Sequence, residues 1–327
     1  MNRVPSDGIP VQAEALRVLV RALAERAGVA EAQRTLLADL LVGNDLRGIF
    51  SHGSRQIATY ARDLHDGKIN PRPEVRVVGE SAATLLLDGD AGLGYFPSWE
   101  AAHRLVEKAR EVGVASAVTR NHGHFGAASL YTRVAAAAGL IGYDTSGHQL
   151  ALEPGQGQIQ AAGGSPMSFA VPAGDEPPLV LDFGAIHDLY NISDERQRYM
   201  LEHLPSTLYR SFGLGAVCQV LGGFLAGVPL RTERAVRSHT GANQGAFFVF
   251  VDPARFIDPA VLKRELDDYH RLIAQLQPFA GTDRATLPGR LEAERERRWA
   301  TDGVPVGGRH RQELTAVATE FGLTVPW

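Results

Sequence analysis

Apolar residues recur at helical spacing through the first 65 positions. Val11 to Gly28 carries Leu16, Leu19, Val20, Leu23 and Ala27 on one stripe, with Gly28 as the stop. Glu31 to Asn44 repeats the pattern with Leu36, Leu37, Leu40 and Leu41, and Ser54 to His65 sets Ile57, Tyr60, Ala61 and Leu64 on a common face. The linker Asp66–Pro73 holds two prolines, which fix φ and end helicity. Beyond it the period shortens. Glu74–Val78 and Thr84–Leu87 predict a hairpin. Ser98–Gly113 predicts a helix with Ser98 as N-cap and Gly113 as stop, followed by a strand over Val114–Thr119. Ala127–Gly139 reads as an Ala-rich helix and Leu140–Asp144 as a strand. Further strands are predicted at Met167–Val171, Leu179–Asp182 and Phe247–Val251, with a mainly helical insert, Asp194–Leu225, between the last two. Helices around Pro259–Leu276, Pro288–Thr301 and Arg309–Phe321 close the chain.

The pattern is that of an α/β protein whose sheet region is flanked by helices from both chain ends. It divides into a helical domain from 1–73 and 255–327, a sheet domain from 74–182 and 240–254, and a helical insert at 183–239. The Arg/Glu-rich run Arg290–Arg298 reads as a solvated helix face.

Composition narrows the function. The chain has 327 residues, 44% hydrophobic and 21% charged, the profile of a folded globular protein rather than a disordered one. Its 33 basic and 37 acidic side chains leave a net charge of −4, no electrostatic footprint for nucleic acid, so a small-molecule partner is expected. Phe212–Leu230 runs 19 residues without a charge, long enough to span a membrane, but five glycines, Gln219 and Pro229 favour a helix buried inside a protein core. The single cysteine, Cys218, lies among apolar neighbours and reads as a core residue. With no apolar run in Met1–Pro10, a cytoplasmic location is expected.

Several chemical motifs are missing: no P-loop, no Gly-x-Ser-x-Gly, no HExxH and no paired CxxC. Gly213-Leu-Gly215-Ala-Val-Cys218 approaches a dinucleotide fingerprint, but it has Cys in place of the third glycine and comes after a helical segment, so close helix packing explains it better. Three clusters remain. Ser51-His52-Gly53 sits at a helix–helix junction, where an imidazole titrating near neutrality can face a cleft as acid or base; the alternative is a capping Ser51 with His52 idle. Arg120-Asn-His122-Gly-His124-Phe125-Gly126 is read as a turn between strand and helix, a place to hold a cofactor or substrate anion; the alternative is a plain connecting turn. Its two histidines lack a third ligand at regular spacing, so no metal site is expected. Gly155-Gln-Gly157 through Gly163-Gly164-Ser165-Pro166 is glycine-rich enough to admit a ligand close to the backbone, or simply to turn. Asp182 ends a strand, where a carboxylate can orient an imidazole or cap the next element.

Taken in order, "RGIFSHG", "GKINP", "VTRNHGHFGAASLY", "GGSPMSFAVP", "LVLDFG", "FGLGAVCQVLGGFLAG", "GAFFVFVDPARF" and "LPGRLEAERERRWATDGVPV" resemble the second malate/L-lactate dehydrogenase family. This is the non-Rossmann family that includes ureidoglycolate and sulfolactate dehydrogenases, diketogulonate reductase and piperideine-carboxylate reductase. The resemblance covers nearly the whole chain. It implies a mainly antiparallel central sheet, a homodimer, NAD or NADP as cofactor, and hydride transfer at C2 of a small 2-oxo, 2-imino or 2-hydroxy carboxylate. By this resemblance His52, His124 and Asp182 are catalytic candidates, and Ser51, Arg55, Gln56 and His148 substrate-side ones. His122, Phe125, Gly126, Gly163, Gly164, Ser165 and Pro166 become cofactor-side candidates.

The chain departs from the family's pattern near the chemistry. Gly164-Ser165 stands where Thr-Asn is usual, and Asp144-Thr-Ser-Gly-His148 where an Asn is usual. After Asp182, Gly184-Ala185-Ile186 replaces Ala-Thr-Ser and an unexpected His187-Asp188 follows. Arg55-Gln56 occupies the place where many members hold a substrate-binding Arg at the second position, and Ser211 replaces a common Lys. These changes raise a second expectation: the fold reused for a non-redox step such as a lyase or cyclisation reaction.

Overall fold

The computed structural model describes residues 3–186 and 193–327. The chain forms two compact units, Met1–Pro73 with His270–Trp327, and Glu74–Tyr269. In chain order the first half contains β1 (Ile9–Val11), α1 (Ala13–Arg26), α2 (Glu31–Leu46), α3 (Ile57–His65), β2 (Arg76–Glu80), β3 (Thr84–Asp88), α4 (Tyr95–Val112), β4 (Val114–His122), α5 (Ser129–Ala137) and β5 (Ile141–His148). The second half contains β6 (Pro166–Val171), β7 (Leu179–Gly184), α6 (Asp194–His203), α7 (Pro205–Gln219), β8 (Gln244–Val251), α8 (Pro259–Ile273), α9 (Arg290–Asp302), β9 (Val304–Val306) and α10 (Gly308–Glu320).

The first unit is helical and joins the two ends of the chain. Helix α1 buries Leu16, Leu19, Val20 and Leu23 on one stripe, and α3 buries Ile57, Tyr60, Ala61 and Leu64, the faces their spacing predicts. Strand β1 pairs antiparallel with β9, Val11 opposite Val304, so the N-terminal segment is sewn to the residues between α9 and α10.

The second unit is built on a seven-stranded sheet of order β2-β3-β4-β8-β5-β6-β7. Only β3 and β4, joined through α4, run parallel; every other pair is antiparallel, which makes the sheet the mainly antiparallel one expected. Its core is aromatic: Tyr131 of α5 meets Phe248 of β8 edge-on at 5.6 Å and stacks on Phe125 at 5.4 Å.

Three local expectations are corrected. Ser98 is not the N-cap of α4; the helix begins at Tyr95 and Ser98 is buried within it, because Pro97 in the first turn lacks only an N–H that the helix would leave unpaired anyway. Strand β4 continues through His122, past a register shift against β8 between Thr119 and His122, so half of the expected histidine turn is strand. Strand β5 runs on to His148 because Ser146, Gly147 and His148 keep pairing with Ala246, Gly245 and Gln244.

The uncharged run is also resolved into parts. Helix α7 ends at Gln219, a single π-type turn covers Val220–Phe224, and the chain then loops away. A Cβ on Gly222 would fall 2.4 Å from the backbone of Ser146, so two backbones meet here and glycine is the residue that lets them. Among the described residues no helix is long and apolar enough to cross a membrane.

Candidate functional site

In the helical unit, the chain leaves α2 through Arg47–Gly48 and makes two short 3-10 turns, Phe50–His52 and Ser54–Gln56, before α3 begins at Ile57. Ser51 therefore does not cap the third helix. Its hydroxyl instead meets Nδ1 of the half-buried His52 at 2.9 Å, while its carbonyl accepts from Nε2 of Gln56 at 2.6 Å. The His52 carbonyl accepts from the Asn44 carboxamide at 2.9 Å. The Ser54 amide donates to Oδ2 of Asp45 at 2.8 Å, and the Ser54 hydroxyl meets Nε2 of His310 at 3.0 Å. Phe50 stacks on Trp299 of α9 at 5.8 Å, anchoring the start of the turn.

The acids and bases beneath this turn escaped sequence reasoning. Asp45 is fully buried, and loss of hydration pushes its carboxyl up to about 7 against the opposing bonds from Ser54 and the charge of Arg55. Burial, helped by Arg55, pushes the His310 imidazole down to about 4, so it stands neutral. On the outer side a cavity of about 380 Å³ is lined by Arg55, Gln56, Thr59, Arg62, Arg309 and Glu313 among others. Arg55 and Gln56 thus lie together in a pocket rich in guanidinium groups, with Glu313 3.4 Å from Arg55.

In the sheet unit, the histidine segment splits. His122 is fully buried at the end of β4, its Nε2 2.9 Å from the Thr119 hydroxyl and its Nδ1 2.7 Å from the Gly123 carbonyl. A carbonyl only accepts, so Nδ1 carries the proton and Nε2 takes the hydroxyl's. Burial lowers its pKa to about 4. With both nitrogens engaged and no exposed face, His122 braces the turn and offers no ring atom to a ligand. Phe125 is likewise core, and Gly126 lies against the Tyr95 ring. His124 is partly exposed, and its carbonyl accepts from the Gly94 amide at 3.0 Å.

Three candidates do come together. His148, Gly163 and Gly164 line a cavity of about 390 Å³ with Gln149, Leu150, Ala151, Leu152 and Gln160. Gln219 of α7 grips the His148 backbone from both sides, donating to its carbonyl at 2.8 Å and accepting from its amide at 3.3 Å. Burial lowers the His148 pKa. Gly163 holds φ +60, and a Cβ there would press on Gln219, Leu150 and His148. Ser165 turns inward, its hydroxyl bonded to the Ala162 carbonyl, and Pro166 starts β6.

Asp182 caps α5: its Oδ2 accepts from the Ser129 amide at 2.9 Å. Its neighbour across the sheet, Asp144, was unforeseen as a site residue in its own right. Asp144 is fully buried and, among the described residues, neither carboxylate oxygen makes a hydrogen bond of ordinary geometry, the Thr132 backbone giving only a weak opposing contact. Burial first, then the Asp182 charge, hold its carboxyl well above the usual range. Cys218 is buried, as expected. Among the described residues no three His, Cys, Asp or Glu side chains gather as metal ligands. His187 and Asp188 lie outside the described residues.

A family model described as malate/L-lactate dehydrogenase matches residues 11–185 and 195–315. The chain is 27% identical over 325 residues to the L-sulfolactate dehydrogenase of Methanocaldococcus jannaschii, covering 91% of this chain and 93% of that protein. It is 26% identical over 323 residues to the ureidoglycolate dehydrogenase (NAD(+)) of Escherichia coli O157:H7, covering 90% and 92%. The solved malate dehydrogenase of Pyrococcus horikoshii OT3 superposes with a TM-score of 0.85 at 25% identity, covering 99% of this chain and 98% of that one.

Proposed function

The chain belongs to the malate/L-lactate dehydrogenase family, and from that premise we propose that it transfers hydride between NAD or NADP and C2 of a small 2-oxo, 2-imino or 2-hydroxy carboxylate. The names of the relatives support the substrate class, since sulfolactate, ureidoglycolate and malate all carry a hydroxyl on the carbon beside a carboxylate. Oxidoreduction is the reaction class of that family.

The observation that carries the reading is the Ser51–Gln56 turn. It presents an imidazole tied through Nδ1 to a hydroxyl, with Arg55 and Gln56 in a cation-rich cavity three and four residues on. Hydride arrival at a C=O or C=N carbon leaves charge on the heteroatom, and His52 through Nε2 is the proposed proton donor; in the reverse direction it is the acceptor. Arg55 is the proposed two-point partner of the substrate carboxylate. Asp182 acts through Ser129, fixing the start of α5 in the segment just after His124.

When bound, a nicotinamide cofactor supplies or accepts the hydride. The cavity lined by His148, Leu150, Gln160, Gly163 and Gly164 fits part of such a molecule: its roughly 390 Å³ falls in the range of ligand sites, with apolar walls and a few polar groups. The reused, non-redox fold is the second reading. It is favoured by the inward turn of Ser165 and by Ile186, which packs with Ala162 and Leu208. A homodimer in the cytoplasm completes the proposal; the exposed apolar side chains Tyr209, Leu214, Val217 and Val220 on and just after α7 suit a subunit contact.

One pair of measurements tests this. His52→Ala is expected to abolish turnover with a wild-type circular dichroism spectrum, and undiminished turnover would refute the assignment. Titration with NADH and NADPH is expected to raise the melting temperature, by about 2.7 kcal/mol of stability at a hundred times Kd. No shift with either nucleotide selects the non-redox reading.

A further inference from the structure

We propose that Asp45 is a positioning residue for His52, holding the Ser51–Ser54 turn through the Ser54 amide and the bare face of Gly53. The inference rests on the reading of His52 as the group that exchanges the proton.

Asn44 and Asp45 are consecutive, fully buried polar residues in the last turn of α2, a helix anchored by buried Leu37, Leu40 and Leu41. Each reaches the turn. Asn44 donates to the His52 carbonyl at 2.9 Å, and Asp45 accepts from the Ser54 amide at 2.8 Å. The residue between those two contacts is Gly53, and a Cβ on it would lie 1.8 Å from Oδ1 of Asp45. Gly53 has an ordinary extended φ of −88°, so the requirement is not conformational. Glycine stands there because the carboxylate occupies the space of a side chain. The Ser-His-Gly motif is thus two residues of chemistry and then a seat for Asp45.

Oδ1, the oxygen against Gly53, has no hydrogen-bond partner among the described residues. A proton on that oxygen lets the acid lie against the glycine as a neutral group; losing it leaves a buried carboxylate beneath the turn that the Ser54 bonds and the Arg55 charge offset only in part. The surrounding charges are few. Arg55 on the turn favours the ionised form, and it is shared with Glu313 of α10 at 3.4 Å. His310 of α10, neutral, faces the Ser54 hydroxyl. From α9, Glu296 is taken up by Arg47 at 2.7 Å, and from α1, Arg17 reaches Asp39 at 3.0 Å. With burial dominant, the Asp45 carboxyl changes charge near neutral pH, and the seat of the His52 turn changes with it.

The test uses the full chain and two variants. Asp45→Asn keeps an acceptor for Ser54 and cannot ionise; Asp45→Ala removes the contact. Histidine-selective NMR is recorded from pH 5 to 9, alongside kcat and KM for NADH-driven reduction of a 2-oxo acid. Beside any titration of the ring itself, wild-type His52 resonances are expected to show a second inflection near pH 7 from Asp45, which Asp45→Asn removes together with the matching change in the kcat profile. Asp45→Ala is expected to lower kcat roughly ten- to a hundredfold with KM within about twofold, the signature of a displaced but present acid. His52 titration curves that coincide in wild type and Asp45→Asn would overturn the proposal. Should Asp45→Ala fail to fold, the Asn comparison decides alone. If wild type reduces no 2-oxo acid, the dehydrogenase reading fails, and the NMR arm still decides whether Asp45 governs His52.

Discussion

Asp144 and Asp182 lie two strands apart in one cross-strand row with Ser168 between them, Asp144 opposite Ser168 and Ser168 opposite Asp182. Asp182 satisfies Oδ2 on the Ser129 amide, and Ser168 bonds the Thr132 hydroxyl at 2.7 Å, both on α5. Asp144 is left as the unpaired member. Two carboxylates on one face of a sheet cannot both hold charge cheaply, and burial makes Asp144 the one whose charged form is disfavoured.

Asp144→Asn is therefore expected to stabilise the fold at neutral pH, by roughly 1–3 kcal/mol. The native pKa of Asp144 is raised, so its contribution is greatest in acid, where both states are protonated, and is lost as pH rises above the unfolded carboxyl's value near 3.8. Urea unfolding at pH 5 and pH 8 checks this. The gain in midpoint over wild type is expected to be larger at pH 8; an equal or smaller gain there means that Asp144 is ionised at no cost.

His122 and His310 act in the opposite direction. Each is held near 4 by burial, so the folded state keeps them neutral while the unfolded chain takes up protons from about 6.5 downward. Stability is present above 6.5 and lost as pH falls toward 4, on the order of 3 kcal/mol for each at full effect. His310→Gln keeps a partner for Ser54 and cannot titrate. Acid unfolding monitored by circular dichroism is expected to begin at lower pH in this variant than in wild type.

The features legible in the sequence were those that depend on near neighbours. Leu16, Leu19, Val20 and Leu23 announce α1 because a helix brings them together without help from the rest of the chain. Strands β1 and β9 were not legible: each has three residues, too few for alternation to register, and their pairing joins opposite ends of the chain. His52, Arg55 and Gln56 stood out as chemistry beside glycine or in family motifs, and Arg55 and Gln56 share a cavity. The inward turn of His122 was not foreseen because β4 ends there, so His122 and His124, two apart, lose the common face that a strand would have given them. Asp45 and Asp144 were passed over as site residues for a different reason: an acid ordinarily marks the surface, and only tertiary packing shows that these are inside.

The contact between the π-type turn and β5 gives a packing prediction. Gly222→Ala sets a methyl group 2.4 Å from the Ser146 backbone, where neither chain has a flexible end to yield. A loss of about 3 kcal/mol is expected. Gly213→Ala, in the same uncharged run but on α7 with open space around it, is the control and is expected to be neutral or stabilising by up to about 1 kcal/mol. Equal urea midpoints for the two variants would mean that the close approach of the two backbones is absent.

Arg55 is shared between the proposed substrate and Glu313, and that competition makes its role measurable. Glu313 sits 3.4 Å from Arg55 and 2.8 Å from Arg309, so the guanidinium that would meet a substrate carboxylate already faces a protein one. Arg55→Gln is expected to raise KM for a 2-oxo acid roughly ten- to a hundredfold with a smaller change in kcat, since a carboxylate contact away from the reacting carbon is kept in both ground and transition states. Glu313→Gln removes the competitor and is expected to lower KM. Repeating both measurements with the corresponding 2-oxo amide separates charge recognition from folding: the variants should then differ little from wild type. An identical rise in KM for acid and amide would place the Arg55 effect in the packing of the turn.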